Sequence, residues 1–177
     1  MTGKIHVFVG TSTLALLCVK APAGFDMLGM HILPEIGLLT AVAGSFAPDI
    51  DLARSHSGMK HKVASKVASK VGGGHRGFFH TLIIPLICIF LMYVIPVYVH
   101  NVVLCTILGS LLFGWVYGYV MHLFADMFNG KGIPLFWPLM KGKVHLLDIP
   151  SSGFGAWVFA AICVAFSYYF VLKGMFV

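Results

Sequence analysis

Long apolar runs separated by short polar segments dominate the chain. Three of them are long enough to cross about 30 Å of hydrocarbon at about 1.5 Å per residue: Phe78 to Val99, Val102 to Phe124 and Phe154 to Leu172. Two shorter runs, Ile5 to Val19 and Ile32 to Phe46, predict further helices that are tilted or extended into their flanks. The pattern predicts an all-α fold, a polytopic membrane bundle of about five hydrophobic helices.

Composition supports a bilayer as the solvent. Hydrophobic residues make up 59% of the chain and charged residues only 10%, against about 25% charged residues in soluble domains. The length of 177 residues suits a single domain, 1–177. Each of the four cysteines lies in an apolar run and none forms a CxxC pair, which argues against a disulfide framework and a cysteine metal site.

The first apolar run has an alternative interpretation as a secretory signal. Lys4 precedes the run, and Ala21-Pro22-Ala23 follows it as a small-residue cleavage site. His6 and the polar stretch Gly10 to Thr13 make a poor signal core, so we expect this run to be a retained hydrophobic helix.

Basic residues are distributed unequally between the two sides of a five-span arrangement. One side receives only Lys20 and Lys173, and the other receives Lys4, Arg54, Lys60, Lys62, Lys66, Lys70, Arg76, Lys131, Lys141 and Lys143. Because cytoplasmic loops carry the excess of Lys and Arg, we expect a multi-pass protein of the inner (plasma) membrane with a cytoplasmic N-terminus. Topology thereby explains the net charge of +6, and a nucleic-acid partner is not expected.

An HxxxD pair, His122 and Asp126, lies near the cytoplasmic end of the fourth run. Residues four apart project from the same side of a helix, so both side chains can hold one ion. Ionisable groups in an otherwise apolar segment are costly unless they face a cavity, a partner or a metal. The alternative is a hydrogen-bonded His/Asp pair that holds helices together.

Further ionisable groups are predicted at the same membrane face. Asp49 and Asp51 follow Pro48, and the repulsion between their carboxylates favours a cation nearby, although helix capping would explain one of them. His75, Arg76 and His80 open the third span, where the helix N-terminus and Arg76 also suit an anion such as phosphate. His6 lies at the same face, at the start of the first run.

Imidazoles and carboxylates without thiolates are typical of catalytic zinc or of a two-metal hydrolytic centre, with manganese or iron as alternatives. The candidate donors exceed what one tetrahedral ion needs, so two ions are favoured over one. In such a site a metal-bound water becomes hydroxide, and Arg76 would neutralise charge on a phosphoryl oxygen. Asp51 or His75 is the candidate acid or base. The candidate metal ligands are His6, Asp49, Asp51, His75, His80, His122 and Asp126.

Two features near the C-terminal end of the chain complete the set of candidates. His145 lies on the predicted cytoplasmic side and is a candidate extra ligand. The turn-rich segment from Asn129 to Pro138 contains Phe136 and Trp137, which predict an interfacial anchor or a lid over the site, the anchor being favoured.

The order of these motifs resembles the YdjM-like family of predicted membrane-bound metal-dependent hydrolases. The resemblance covers His6 to about Pro138 and rests on His6, Pro48-Asp49-Ile50-Asp51, His75-Arg76-Gly77-Phe78-Phe79-His80-Thr81, Gly118-Tyr119 with His122 and Asp126, and Gly132 to Pro138. The family is also distantly similar to zinc-dependent phospholipase C and P1-type nucleases, whose trinuclear sites use an HxxxD pair, and this resemblance implies phosphoester hydrolysis. Departures are Asn129 in place of a common Thr and HRGFFHT in place of HRGFTHS. No equivalent of the later His and Glu ligands of phospholipase C is visible, so a full three-zinc site is not expected.

Two classes of function remain open. The first is an enzyme that hydrolyses a phosphoester of a lipid or lipid-linked substrate, which reaches the site from the inner leaflet. The alternative is a metal-ion transporter or a metal-binding structural or assembly protein. A transporter should place ligands near the bilayer midplane and on both sides, whereas an enzyme of this kind should gather them at one end. Oligomeric state does not follow from the sequence.

Overall fold

A computed structural model describes residues 1–51, 77–140 and 142–173 of the chain. These residues are mostly helical. Two 3-10 helices, Ala47–Asp51 and Phe78–His80, accompany the α-helices. The α-helices are α1 (Gly3–Lys20), α2 (Pro34–Phe46), α3 (Ile83–Tyr98), α4 (Val102–Met127) and α5 (Phe154–Leu172). The predicted bundle of about five hydrophobic helices is confirmed.

The helices differ in their ability to cross a bilayer. By length and composition α1, α4 and α5 are candidate membrane spans, and α3 is apolar but has only 16 residues. We predicted one continuous run from Phe78, but a separate 3-10 helix occupies Phe78–His80 and α3 begins only at Ile83. Many large apolar side chains on the helices are exposed, as lipid contact requires; examples are Leu86, Phe90, Val102, Ile162 and Phe166.

Local signals explain where two of the helices begin. Pro34 opens α2, where its missing N–H costs no hydrogen bond, and Glu35 in the first turn interacts favourably with the helix dipole. The Leu33 N–H donates to Ser110 Oγ of α4 at 2.9 Å. Asn101 caps α4 because its side-chain oxygen accepts a hydrogen bond from the Leu104 N–H at 3.0 Å.

Helices α2 and α4 form the closest helix pair of the bundle because glycines line their contact. A Cβ atom at Gly114 would lie 1.9 Å from the carbonyl oxygen of Gly37, and one at Gly118 would lie 2.1 Å from that of Ala41. Small residues let helix backbones approach where lipid removes the usual hydrophobic drive between helices. This contact brings the end of α2 against the last three turns of α4.

A β-hairpin between α1 and α2 was not predicted from the sequence. Its strands, Phe25–Met27 and Met30–Ile32, pair antiparallel around a two-residue turn in which Leu28 and Gly29 both have positive φ, 52° and 76°. Met30 and Ile32 pack against α3 and α4. The turn lacks the Asn-Gly or Asp-Gly pair that usually marks such a hairpin, which is why the sequence pattern did not show it.

The segment between α4 and α5 folds back on the end of the bundle. Ile133 and Val144 exchange backbone hydrogen bonds of 3.0 and 2.8 Å, and the Leu82 N–H donates to the Leu135 carbonyl at 3.0 Å. Ile133 and Leu135 are buried against α4 residues, which fixes the segment to the helix end. This end of the bundle also holds the starts of α1 and α3.

Candidate metal centre

Five of the predicted ligand residues come together at one end of the bundle. His6 lies in the first turn and a half of α1, Asp49 follows α2, His80 precedes α3, and His122 and Asp126 lie in the last two turns of α4. The three histidines are 0% exposed, Asp126 is 1% exposed and Asp49 8%. Four separate chain segments therefore place imidazoles and carboxylates in one buried cluster.

The first donor group combines two imidazoles with two carboxylates. His80 Nε2 lies 3.7 Å from Asp49 Oδ1 and 3.6 Å from Asp126 Oδ2. His122 Nε2 lies 3.8 Å from each of the same two oxygens. Donor atoms around a tetrahedral zinc ion with bonds of 2.0–2.1 Å are about 3.4 Å apart, so each of these four distances is slightly longer than zinc requires.

The backbone of α2 selects the ring nitrogen that His122 presents to the cluster. His122 Nδ1–H donates to the Ser45 carbonyl at 2.7 Å, and Nε2 is buried with no hydrogen-bond partner in the part of the chain that the structure describes. With Nδ1 as the donor, Nε2 of the neutral ring carries the lone pair that a metal needs. Metal-binding histidines usually have such an outer partner. The sequence does not indicate Ser45, because every residue carries a carbonyl and only the fold shows which carbonyl His122 uses.

His6 forms a second donor group with His122 and Asp126. Its ring stacks on that of His122, with centroids 3.7 Å apart and planes inclined by 16°. His6 Nε2 lies 3.3 Å from Asp126 Oδ1, and within the described residues neither ring nitrogen of His6 meets an acceptor with hydrogen-bond geometry. The N-terminal amine of Met1 contacts the same carboxylate oxygen. Asp126 therefore directs Oδ2 toward the first group and Oδ1 toward His6.

Asp49 lies beyond the end of α2, and its surroundings keep it ionised. Burial opposes the charged carboxylate, but its contact with His80 and its interaction with the neighbouring His122 and His6 rings outweigh burial. The pKa of Asp49 therefore lies below its ordinary value. An ionised carboxylate is the form in which Asp binds a metal.

The donor set fits a metal ion better than it fits a hydrogen-bonded pair. The 3.8 Å between His122 Nε2 and Asp126 Oδ2 exceeds the 2.7–3.2 Å of an N–H···O hydrogen bond. These two side chains are therefore not a hydrogen-bonded pair that holds helices together. His122 Nε2 is buried beside two carboxylates and has no hydrogen-bond partner among the described residues, and such a nitrogen suits zinc, manganese or iron. The four cysteines are free and belong to neither donor group.

Other predicted site residues stand apart from the cluster or outside the described part of the chain. The backbone of Asp51 ends the first 3-10 helix, but its side chain lies outside the described part of the structure, so its role stays a prediction. His75 and Arg76 lie within residues 52–76, outside the described residues, so their roles stay predictions. His145 is half exposed, lies 3.8 Å from Asp148 and joins neither donor group.

In a comparison with known proteins, residues 1–176 match the model of a family described as YdjM inner membrane protein. The uncharacterized protein YvsG of Bacillus subtilis (strain 168) is 29% identical over 175 residues, which cover 97% of this chain and 96% of YvsG. The inner membrane proteins YdjM of Escherichia coli (strain K12) and Shigella flexneri are each 34% identical over 115 residues. That match covers 61% of this chain and 50% of each YdjM protein. No solved structure matches the chain.

Proposed function

The chain belongs to the YdjM inner membrane protein family, and we propose that it is a membrane-bound, metal-dependent hydrolase that cleaves a phosphoester in a lipid or lipid-linked substrate. The family match confirms the resemblance that the motifs indicate, whereas the distant similarity to phospholipase C and P1-type nucleases stays a prediction. One observation carries the proposal: buried Asp49, His80, His122 and Asp126 converge in a membrane protein. Such groups are costly there unless they serve a site.

The residues of the first donor group would hold one ion, with zinc proposed and manganese or iron as alternatives. A zinc ion held there would lower the pKa of a water ligand to about 7 and would polarise the scissile bond. His122 offers only Nε2, because Nδ1 is engaged by Ser45, so it serves one ion and not two. A second ion, which we favour, would be held by His6 and Asp126 Oδ1 with Asp51 and His75 as the remaining candidate donors.

The chain's own residues have separate roles in this proposal. The Ser45 carbonyl orients the His122 ring, and burial of the cluster excludes bulk water from the donor atoms. Asp51 or His75 is proposed as the acid or base that moves a proton to or from the reacting oxygen. Arg76 is proposed to neutralise the charge that develops on a phosphoryl oxygen.

The position of the cluster favours an enzyme over a transporter. All five residues lie at or beyond helix ends on one side of the bundle, whereas transporters bind their ions near the bilayer midplane. A site at the boundary of the lipid is accessible to a headgroup that arrives within the leaflet. From the excess of Lys and Arg on this side we infer that it is the cytoplasmic one.

Metal analysis combined with a hydrolysis assay tests the proposal. The full chain would be purified, its metal content measured by mass spectrometry, and release of phosphorylated headgroup followed from a panel of phospholipids in mixed micelles. We expect bound zinc, and an activity that chelation abolishes and zinc restores. Asp49→Asn should lower activity about 100-fold or more, because a group that stabilises the transition state directly has that order of effect.

Asp148→Asn is the matched control for Asp49→Asn. Asp148 is an exposed acid at the same end of the bundle, 3.8 Å from His145, so its loss should leave activity within about twofold. Activity that withstands chelation would contradict the metalloenzyme assignment. Metal bound without activity toward any phosphoester would favour a structural role, and metal translocation across vesicles would favour the transporter.

A further inference from the structure

The segment between α4 and α5 carries an apolar surface that points away from the protein. We name this surface the apolar loop face; it consists of Phe136, Trp137, Leu139, Met140, Leu146 and Leu147, which are 43–91% exposed. Soluble proteins seldom expose so many large apolar side chains in one short segment, and such a patch usually marks an interaction site.

The fold of this segment prevents the apolar loop face from turning inward. Ile133 and Leu135 already fill the space against Tyr119 and Leu123 of α4. The backbone hydrogen bonds between Ile133 and Val144 hold the two arms of the segment together. Exposure of the neighbouring side chains is therefore a property of the folded segment.

The position of the segment places the apolar loop face at the membrane boundary. The segment connects the end of α4 to the start of α5, and both helices are candidate membrane spans. Leu147 also lines an apolar cleft of about 710 Å³ between these helices, together with Phe124, Phe128 and Phe159. The apolar loop face is thus continuous with the surface that α4 and α5 present to lipid.

Charge on the same segment complements an anionic surface. Lys131 and Lys143 are exposed, and Asp148, the acid nearest to Lys143 along the chain, lies 3.8 Å from His145. A lysine near the membrane surface is attracted to anionic phospholipid headgroups, and an aromatic side chain such as Trp137 prefers the depth of the headgroups.

We propose that the apolar loop face is inserted into the leaflet beside the metal-site end of the bundle, with Lys131 and Lys143 bound to the phosphates of anionic phospholipids. The partner is the bilayer in which the protein resides. This membrane contact does not depend on catalysis, so it stands apart from the proposed hydrolase activity. It predicts that lipid composition affects this end of the molecule more than the opposite end.

Tryptophan fluorescence tests the contact, because the chain has only three tryptophans, Trp115, Trp137 and Trp157. Full-length variants that each keep one tryptophan, the other two being replaced by phenylalanine, would be reconstituted into vesicles. Quenching by brominated phosphatidylcholine, by brominated phosphatidylglycerol and by aqueous acrylamide would be compared. Trp157 on α5 is the lipid-exposed reference, and Trp115 on α4, which is half-buried and packs against an interior cluster, is the more protected reference.

We expect brominated lipid to quench Trp137 nearly as strongly as Trp157, with bromine close to the headgroup more effective than bromine deep in the chain. Phosphatidylglycerol should quench Trp137 several-fold more effectively than phosphatidylcholine, and Lys131→Gln with Lys143→Gln should abolish that preference. Strong acrylamide quenching without lipid quenching would overturn the proposal. Protection from both quenchers would also overturn it, since another protein surface would then cover Trp137. Equal quenching by the two lipids would overturn the assignment to anionic headgroups.

Discussion

Two histidines at opposite ends of the bundle show what burial does to the same side chain. His31, in the β-hairpin, has a side chain that is 44% exposed, and both ring nitrogens meet acceptors: Asp26 Oδ1 at 2.9 Å and the Ala23 carbonyl at 2.8 Å. His122, in the cluster, is 0% exposed, and among the described residues only its Nδ1 has a hydrogen-bond partner. Each histidine lies close to an aspartate.

The difference lies in what each site still needs. The His31–Asp26 pair is complete when His31 is protonated, because both N–H groups then donate and water solvates the rest. The cluster gathers three buried imidazoles and two buried carboxylates, and such a concentration of ionisable groups is costly in a membrane protein unless it serves a site such as one for a metal ion. A His/Asp pair therefore indicates a metal site only when its burial and its open lone pairs are known.

The largest expected effect comes from exchanging the aspartate at each end. Asp126→Asn removes the carboxylate that faces His6, His80 and His122, and we expect bound metal to fall by more than the roughly 10–100-fold that loss of an outer partner costs. Asp26→Asn at the exposed pair should leave metal content unchanged. Mass spectrometry of both purified variants measures the outcome, with size-exclusion profiles to show that each is folded.

Retention of metal by the Asp126→Asn variant would remove Asp126 from the ligand set. Equal loss of metal in both variants would point to a general effect on folding. The metal content would then not distinguish the buried cluster from the exposed His31–Asp26 pair.

A smaller effect is expected from the helix contact that supports His122. Gly118→Ala places a Cβ atom 2.1 Å from the Ala41 carbonyl, so α2 must move away from α4 and the Ser45 carbonyl must move with it. Overpacking typically costs about 1–3 kcal/mol, and we expect the free energy of unfolding to fall by about 3 kcal/mol or more. We also expect metal affinity to weaken by about 10–100-fold. Thermal unfolding and metal titration would measure these two quantities.

Gly29→Ala is the control for Gly118→Ala at the opposite end. Its φ of 76° makes alanine unfavourable by about 1–2 kcal/mol, but its surroundings leave room for the Cβ atom. Stability should fall while metal affinity stays the same. If Gly118→Ala leaves metal affinity unchanged, the Ser45 carbonyl does not position His122.

The sequence predicted which residues meet better than it predicted how they are held. The HxxxD spacing of His122 and Asp126, and the placement of Asp49 and His80 at the ends of apolar runs, follow from periodicity and run length alone. The Ser45 carbonyl and the close approach of α2 to α4 depend on tertiary packing, which side-chain identity does not encode. The late start of α3 depends on the backbone turn at Phe78–His80, which an apolar run cannot reveal.

The smallest expected effect is a pH dependence confined to the hairpin. The hydrogen bonds to Asp26 and the Ala23 carbonyl raise the pKa of His31 above its ordinary 6.5. A raised pKa in the folded state stabilises the fold fully below pH 6.5 and loses that contribution as pH rises through the folded-state value. His31→Gln should therefore lower the Tm more at about pH 5.5 than at about pH 8.5, and Asp26→Asn should remove most of that difference. A larger decrease in Tm at the higher pH would mean that His31 stabilises the hairpin as the neutral ring. Protonation would then no longer distinguish His31 from His122.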